Sequence, residues 1–371
     1  MNVPFLDFRG HVAAVRGEIE QAVGRVLDAG WFVLGPEGEA FERELAEAFG
    51  AKEAVGVANG TEAIQLALEA LGVGAGDEVV TSPLSAAFTA LGVVRAGARP
   101  VFADLDPATL NVAPAAVEKA LSPRTRALLP VHLYGHPADL DPLLDLARRR
   151  GIPLVEDACQ AHGARYKGRP VGAISGLGAL SFYPTKNLGA LGDGGAVLVN
   201  DPGLATRLRR LRNGGQSDRY RHEENGINSR LDEVQAAILR AFLRHLPAWN
   251  ERRRALAALY RRELAGAPLT LPREEPYATA VYHLFAVRHP RRDALAAALR
   301  ERGIGTLVHY PIPLHLQPAF ASLGHGAGDF PVAERAAREV LSLPLYPELT
   351  DAQALAVASA VRELAARPAG A

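Results

Sequence analysis

The sequence predicts an α/β protein built on a mainly parallel, seven-stranded sheet sandwiched by helices. Between Ala54 and Asn200 seven short β-rich runs follow one another: EAVGV, EVVTS, RPVFAD, ALLPVH, PLVEDA, GALSFY and GAVLVN. Several gaps between them carry helical periodicity, as in EAIQLALEAL and in PLLDLARRR, which ends in the cations a helix C-terminus favours. Strands alternating with helices pair in parallel and are covered on both faces. A chain of 371 residues exceeds one ordinary core and suits a large domain plus a smaller one.

In chain order, VAAVRGEIEQAVGRVLDAG and EAFERELAEAFG read as two amphipathic helices flanking the turn-rich WFVLGPEG. The seven runs follow. After Asn200 come the basic helix LATRLRRLRNGG and LDEVQAAILRAFLRHLPAWNERRRALAALYRREL, a helical stretch long enough to bridge two domains. Farther on, TAVYHLFAVR and GIGTLVHYP read as strands around the helix RDALAAALRERG, giving a small α+β domain. The expected division is 1–245 for the large domain and 246–371 for the small one.

Acidic and basic residues balance at 41 each, so no positive field argues for nucleic acid or a membrane surface, and a small soluble substrate is the better expectation. The single cysteine, Cys159, excludes an intramolecular disulfide framework. The stretch MNVPFLDFRG lacks the pattern of a secretory signal, and no apolar run approaches the roughly 20 residues that span a bilayer. A cytoplasmic protein is expected, and no metal site is assigned.

An open α/β sheet presents its crevice at the carboxyl ends of its strands, and candidate residues fall there. Asn59-Gly60-Thr61 follows EAVGV and opens a helix. Its free amides suit an anion, and an ordinary capped turn reads the same way. Asp157 stands at the exit of PLVED, with Gln160 and His162 just beyond. Cys159 is most simply a small buried hydrophobe. Ser181 and Lys186 lie on SFYPTKNLGALGDGGA. Lysine occurs only at 52, 119, 167 and 186 in a chain rich in arginine. An amine that must lose a proton and attack a carbonyl has to be Lys, because guanidinium stays protonated. A reactive amine, an anion cradle and a carboxylate able to pair with a pyridinium nitrogen are what pyridoxal phosphate requires.

The chain resembles the DegT/StrS sugar aminotransferase family, whose members are fold type I enzymes dependent on pyridoxal phosphate. The likeness runs through NGTEAIQLAL, GDEVVTSP, PVFADLDPATLNV, PVHLYGHPADLD, LVEDACQAHGARYKGRPVG, SFYPTKNLGALGDGGA, GINSRLDEVQAAIL and HYPIPLHLQPAF. It implies Lys186 as the Schiff-base lysine, Asp157 as partner of the pyridine nitrogen and Gln160 against the ring near its hydroxyl. It implies phosphate held by Gly60, Thr61, Ser181 and, from a second subunit, Asn228, hence a homodimer with sites at the interface. His309, Tyr310 and His315 match a segment that approaches the sugar nucleotide. The reaction implied is ping-pong transamination of a nucleotide-linked keto sugar with L-glutamate as donor, and PVHLYGHPADLD followed by GGQSDRYRHEENGINSRLDE looks similar to relatives acting at C3 of deoxythymidine-linked 3-keto sugars. The aromatic ring that commonly covers the cofactor is replaced here by Ala86, with Phe88 two residues off. The arginines of NGGQSDRYRH suit either a diphosphate or a solvated face. Sugar dehydration, an amino-acid conversion and a non-catalytic regulatory role are the alternatives. The dehydrating branch of the family carries histidine in place of Lys186.

Overall fold

The computed structural model describes residues 2–367, so Met1 and positions 368–371 of the expected small domain lie outside it. Each of the seven β-rich runs forms a strand: Glu53–Val57, Glu78–Thr81, Arg99–Phe102, Thr125–Leu129, Glu156–Asp157, Leu177–Ser181 and Gly195–Val199. Across the sheet the first residues of the strands run 99, 78, 125, 156, 177, 195, 53. Isolated parallel bridges Leu128–Leu154 and Val131–Asp157 join the halves between the third and fourth strands of that order. Gly195–Val199 runs antiparallel to both its neighbours, and the other pairings are parallel.

Alternation along each strand sends successive side chains to opposite faces. Val197 and Val199 pack with Ile64 and Leu68 of the helix Gly60–Ala70. Ala196 and Leu198 join the opposite core, with Phe41 and Leu45 of Pro36–Phe49, Leu143 of Leu140–Arg150 and Phe242 of Glu233–Leu243. A further core lies around Leu256, Tyr260, Phe285, Leu299 and Val361. Val3, near the start of the chain, belongs to it and bridges to Ile304.

Two expectations are corrected. The stretch from Leu231 to Leu264 is not one helix but two, Glu233–Leu243 and Leu246–Glu263. Pro247 has no N–H to continue a helix and sits in the first turn of the second, where none is needed. GIGTLVHYP forms only isolated bridges, Ile304 to Val3 and Leu307 to Ser342. The partner of Phe285–Arg288 is instead Val340–Leu343, antiparallel, because its buried apolar run can face both the helices and the neighbouring strand.

A buried ionic anchor sets the strand end that matters for function. Glu156 accepts hydrogen bonds from the amides of Gly172 and Ser175, both at 2.7 Å, from Ser175 Oγ at 2.9 Å and from His132 Nε2 at 3.1 Å. His132 Nδ1 accepts from the Ala138 amide, so its proton is on Nε2 and the neutral ring donates to the carboxylate. Burial pushes Glu156 up, and the His132 and backbone donors outweigh it, leaving the carboxyl below its ordinary value. With Glu156 fixed on one face of a strand, Asp157 is turned to the other.

Candidate active site

Three strand ends converge. After Glu53–Val57 the chain passes Asn59, whose side chain accepts from the Glu62 amide at 2.9 Å and caps the helix Gly60–Ala70. Gly60 and Thr61 therefore open that helix, where amides carry partial positive charge. A Cβ at Gly60 would lie 2.6 Å from Ser181 Cβ and 3.1 Å from Cys159 Sγ. Only glycine lets this turn close onto the ends of the strands carrying Asp157 and Ser181. That tight, amide-lined cradle, with a hydroxyl beside it, fits a phosphate.

Asp157 is buried, with Oδ2 accepting from Thr89 Oγ1 at 2.7 Å and Oδ1 from the Cys159 amide at 3.2 Å. Gln160 is also buried. Its Oε1 accepts from the Tyr134 amide at 2.8 Å and its Nε2 donates to Tyr310 Oη at 2.9 Å. Tyr134 has φ of 59°, which turns its amide to Gln160, and its hydroxyl donates to the His309 carbonyl. Gln160 is thus braced with one amide hydrogen left over.

Lys186 follows Leu177–Ser181 on a loop closed by Lys186 N to Tyr183 O at 2.8 Å and Ala190 N to Phe182 O at 2.7 Å. The next residue nails the loop down. Asn187 Nδ2 donates to Asn250 Oδ1 and the Val281 carbonyl, and its Oδ1 faces His283 Nδ1 at 3.3 Å. Burial lowers the pKa of the Lys186 ammonium, against the opposing pull of Cys159 and Asp157. The amine is thereby eased toward the neutral, nucleophilic form.

Three histidines surround that amine. Burial, and secondarily the Lys186 charge, hold His162 at about 3, His309 at about 4 and His283 well below its ordinary value. His162 is wholly buried between Phe182 and Phe49, and neither ring nitrogen makes a hydrogen bond of normal geometry. The folded chain refuses a proton that the unfolded chain binds below about pH 6.5, so stability falls as pH drops from 6.5 toward 3. His162→Leu is expected to shrink the stability lost between pH 8 and pH 5 by about 2 kcal/mol. Urea denaturation at the two pH values checks this, and an equal loss in both proteins would contradict it.

The remaining sequence-predicted residues divide between the site and more distant parts of the chain. His309 is half-buried with Nδ1 3.0 Å from Ser342 Oγ, and Tyr310 meets the site through Gln160. His315 lies apart, buried with Nε2 3.2 Å from Glu334 and edge-on to Phe330. Asn228 is exposed, and its backbone pairs with Asn213 rather than with the site. Ala86 is half-buried at the start of the helix Ala87–Arg95, while Phe88 is 63% exposed and turned to solvent. Sequence reasoning missed Thr89, Ser85, Tyr134 and Asn187. The spacing of Ser85 and Thr89, four residues apart just after a strand end, was the available signal.

The residues fit pyridoxal phosphate: a depressed amine, a buried carboxylate with lone pairs to spare, a braced amide and an anion cradle meet at one sheet edge. Comparison with known proteins points the same way. The description of the DegT/DnrJ/EryC1/StrS aminotransferase family matches residues 14–362. The chain is 54% identical to a dTDP-3-amino-3,4,6-trideoxy-alpha-D-glucose transaminase of Streptomyces venezuelae, covering 98% of this chain and 97% of that one. It is 46% identical to a protein of Geobacillus stearothermophilus named a pleiotropic regulatory protein, covering 97% of the relative and 98% of this chain. The crystal structure of S. venezuelae DesV in complex with a ketimine intermediate superposes with a TM-score of 0.97 at 54% identity, over 99% of each chain. The chain belongs to the DegT/DnrJ/EryC1/StrS aminotransferase family and is a pyridoxal-phosphate-dependent enzyme.

Proposed function

We propose that this protein moves an amino group from L-glutamate to C3 of a dTDP-linked 3-keto sugar, as a cytoplasmic homodimer with its sites at the subunit interface. The convergence of Lys186, Asp157 and the Gly60 cradle carries the transamination. The name of the S. venezuelae relative supports the nucleotide and the ring position. Among the described residues no helix is long and apolar enough to cross a membrane.

Bound pyridoxal phosphate supplies an aldehyde that condenses with amines and a ring that takes up the electron pair left by a departing α-proton. The chain's residues do the rest. The Gly60 and Thr61 amides and the Ser181 hydroxyl bind the phosphate, with Asn228 reaching in from the second subunit. The Asp157 carboxylate holds a proton on the ring nitrogen, and Gln160 orients the ring beside its hydroxyl. Lys186 Nζ would tether the aldehyde, then take the donor's α-proton and deliver it to the former aldehyde carbon, so that the amino group stays behind when the keto acid leaves. Glutamate leaves as its keto acid before the sugar enters, the order of a ping-pong reaction. His309 and Tyr310 border the entrance for the sugar nucleotide.

Exposed apolar side chains support the dimer. Trp31, Phe32, Tyr183 and Leu191 are all more than two-fifths exposed. Trp31, Phe32 and Leu191 share one rim, because the Phe32 carbonyl accepts from the Glu233 amide and the Leu191 amide donates to Gln235 on the same helix turn. A contiguous exposed apolar patch of this kind marks an association face. In the same reading the large domain is 1–245 and the small one 246–371. Leu256, Leu259 and Tyr260 of the helix Leu246–Glu263 joining the second core supports that division, and Val3 crosses it.

A regulatory role has the name of the G. stearothermophilus relative in its favour, while Lys186 beside Asp157 favours turnover. Purified protein is to be given glutamate with dTDP-, UDP- and GDP-linked 3-keto sugars. Consumption of the dTDP sugar with formation of amino sugar and 2-oxoglutarate is expected. Turnover of none of them would sink the proposal.

A further inference from the structure

Two hydroxyls stand behind Asp157. Thr89 Oγ1 donates to Asp157 Oδ2 at 2.7 Å, and Ser85 Oγ lies 2.9 Å from Thr89 Oγ1. All three side chains are at most 3% exposed. The direction of the chain follows from proton counting. Thr89 spends its single proton on Asp157 Oδ2, so Ser85 must then donate to Thr89. A threonine in a helix ordinarily turns its hydroxyl back to the carbonyl four residues earlier. Here the residue four earlier is Ser85, and Thr89 meets its hydroxyl instead.

We propose that Ser85 and Thr89 are positioning residues, a two-hydroxyl relay that fixes the rotamer of Asp157 and aims its carboxylate at the cofactor ring nitrogen. The inference rests on the pyridoxal phosphate reading above. Without Thr89 the carboxylate retains one internal donor, the Cys159 amide at 3.2 Å. Hydrogen bonds onto a buried carboxylate favour its charged form, and donors arranged in series polarise one another. The titratable groups that feel Asp157 are Cys159, Lys186 and Tyr310.

The test uses the holoenzyme and reads the pH at which the visible band of the lysine-bound cofactor changes. A protonated ring nitrogen withdraws electrons and keeps that midpoint low. With Asp157 loosened the ring proton is lost more easily and the midpoint climbs. Thr89→Val, nearly isosteric, is expected to raise it by about one unit. Thr89→Ser, which keeps the hydroxyl, is expected to restore it, and Ser85→Ala to shift it the same way by less. A wild-type midpoint in Thr89→Val, or an equal shift in Thr89→Ser, would overturn the relay. If Thr89→Val does not accumulate folded, Ser85→Ala decides, and an unchanged midpoint there also overturns it. A wild-type protein lacking the visible band altogether would instead overturn the cofactor reading.

Discussion

Lys186→Ala is expected to lose the visible absorbance of the bound cofactor and to lower transamination by at least about ten-thousandfold, since the residue both tethers the aldehyde and carries the proton. Its fold is expected to survive. The amine contributes no hydrogen bond to the core, and burial already disfavours its charged form. Thermal unfolding of the apo protein should therefore show no loss of stability. Inactivity with an intact melting transition separates a missing catalytic group from a misfolded chain, and retention of both band and activity would refute the assigned role.

Asp157→Asn is the second large effect. The two side chains are isosteric, and the amide oxygen can still accept from Thr89 or from the Cys159 amide, so the strand end keeps its packing. The negative charge is gone, and with it the reason for the ring nitrogen to stay protonated. A fall in kcat of about a thousandfold is expected, the scale seen when one preorganised electrostatic contact is removed from a buried site. KM for glutamate should move far less, because the charge acts on the proton-transfer step rather than on donor binding. A variant with wild-type kcat would mean that Asp157 does not face the ring nitrogen.

The seven strands were legible because each is a compact β-rich run bounded by turn residues, and a parallel sheet buried on both faces leaves that mark in one sequence. Gly60, Asp157 and Lys186 were legible for a related reason, since each stands at or just past a strand end. What could not be read is what binds distant segments together. Gln160 is braced by Tyr310, 150 residues away, and Asn187 by Asn250 and Val281. No local pattern encodes such contacts. The break between Glu233–Leu243 and Leu246–Glu263 falls just before Pro247, within a stretch whose helical propensity on both sides reads as one run. His315 shares a motif with His309 and Tyr310, and its Nε2 pairs with Glu334 and its ring meets Phe330 edge-on, contacts that sequence adjacency does not encode.

The central claim is that the nitrogen of Lys186 is covalently joined to the cofactor. Reduction of the holoenzyme with borohydride makes that bond permanent, and digestion followed by mass spectrometry locates it. The pyridoxyl phosphate mass is expected on the peptide containing Lys186. Label on Lys52, Lys119 or Lys167 instead, or on no lysine at all, would contradict it.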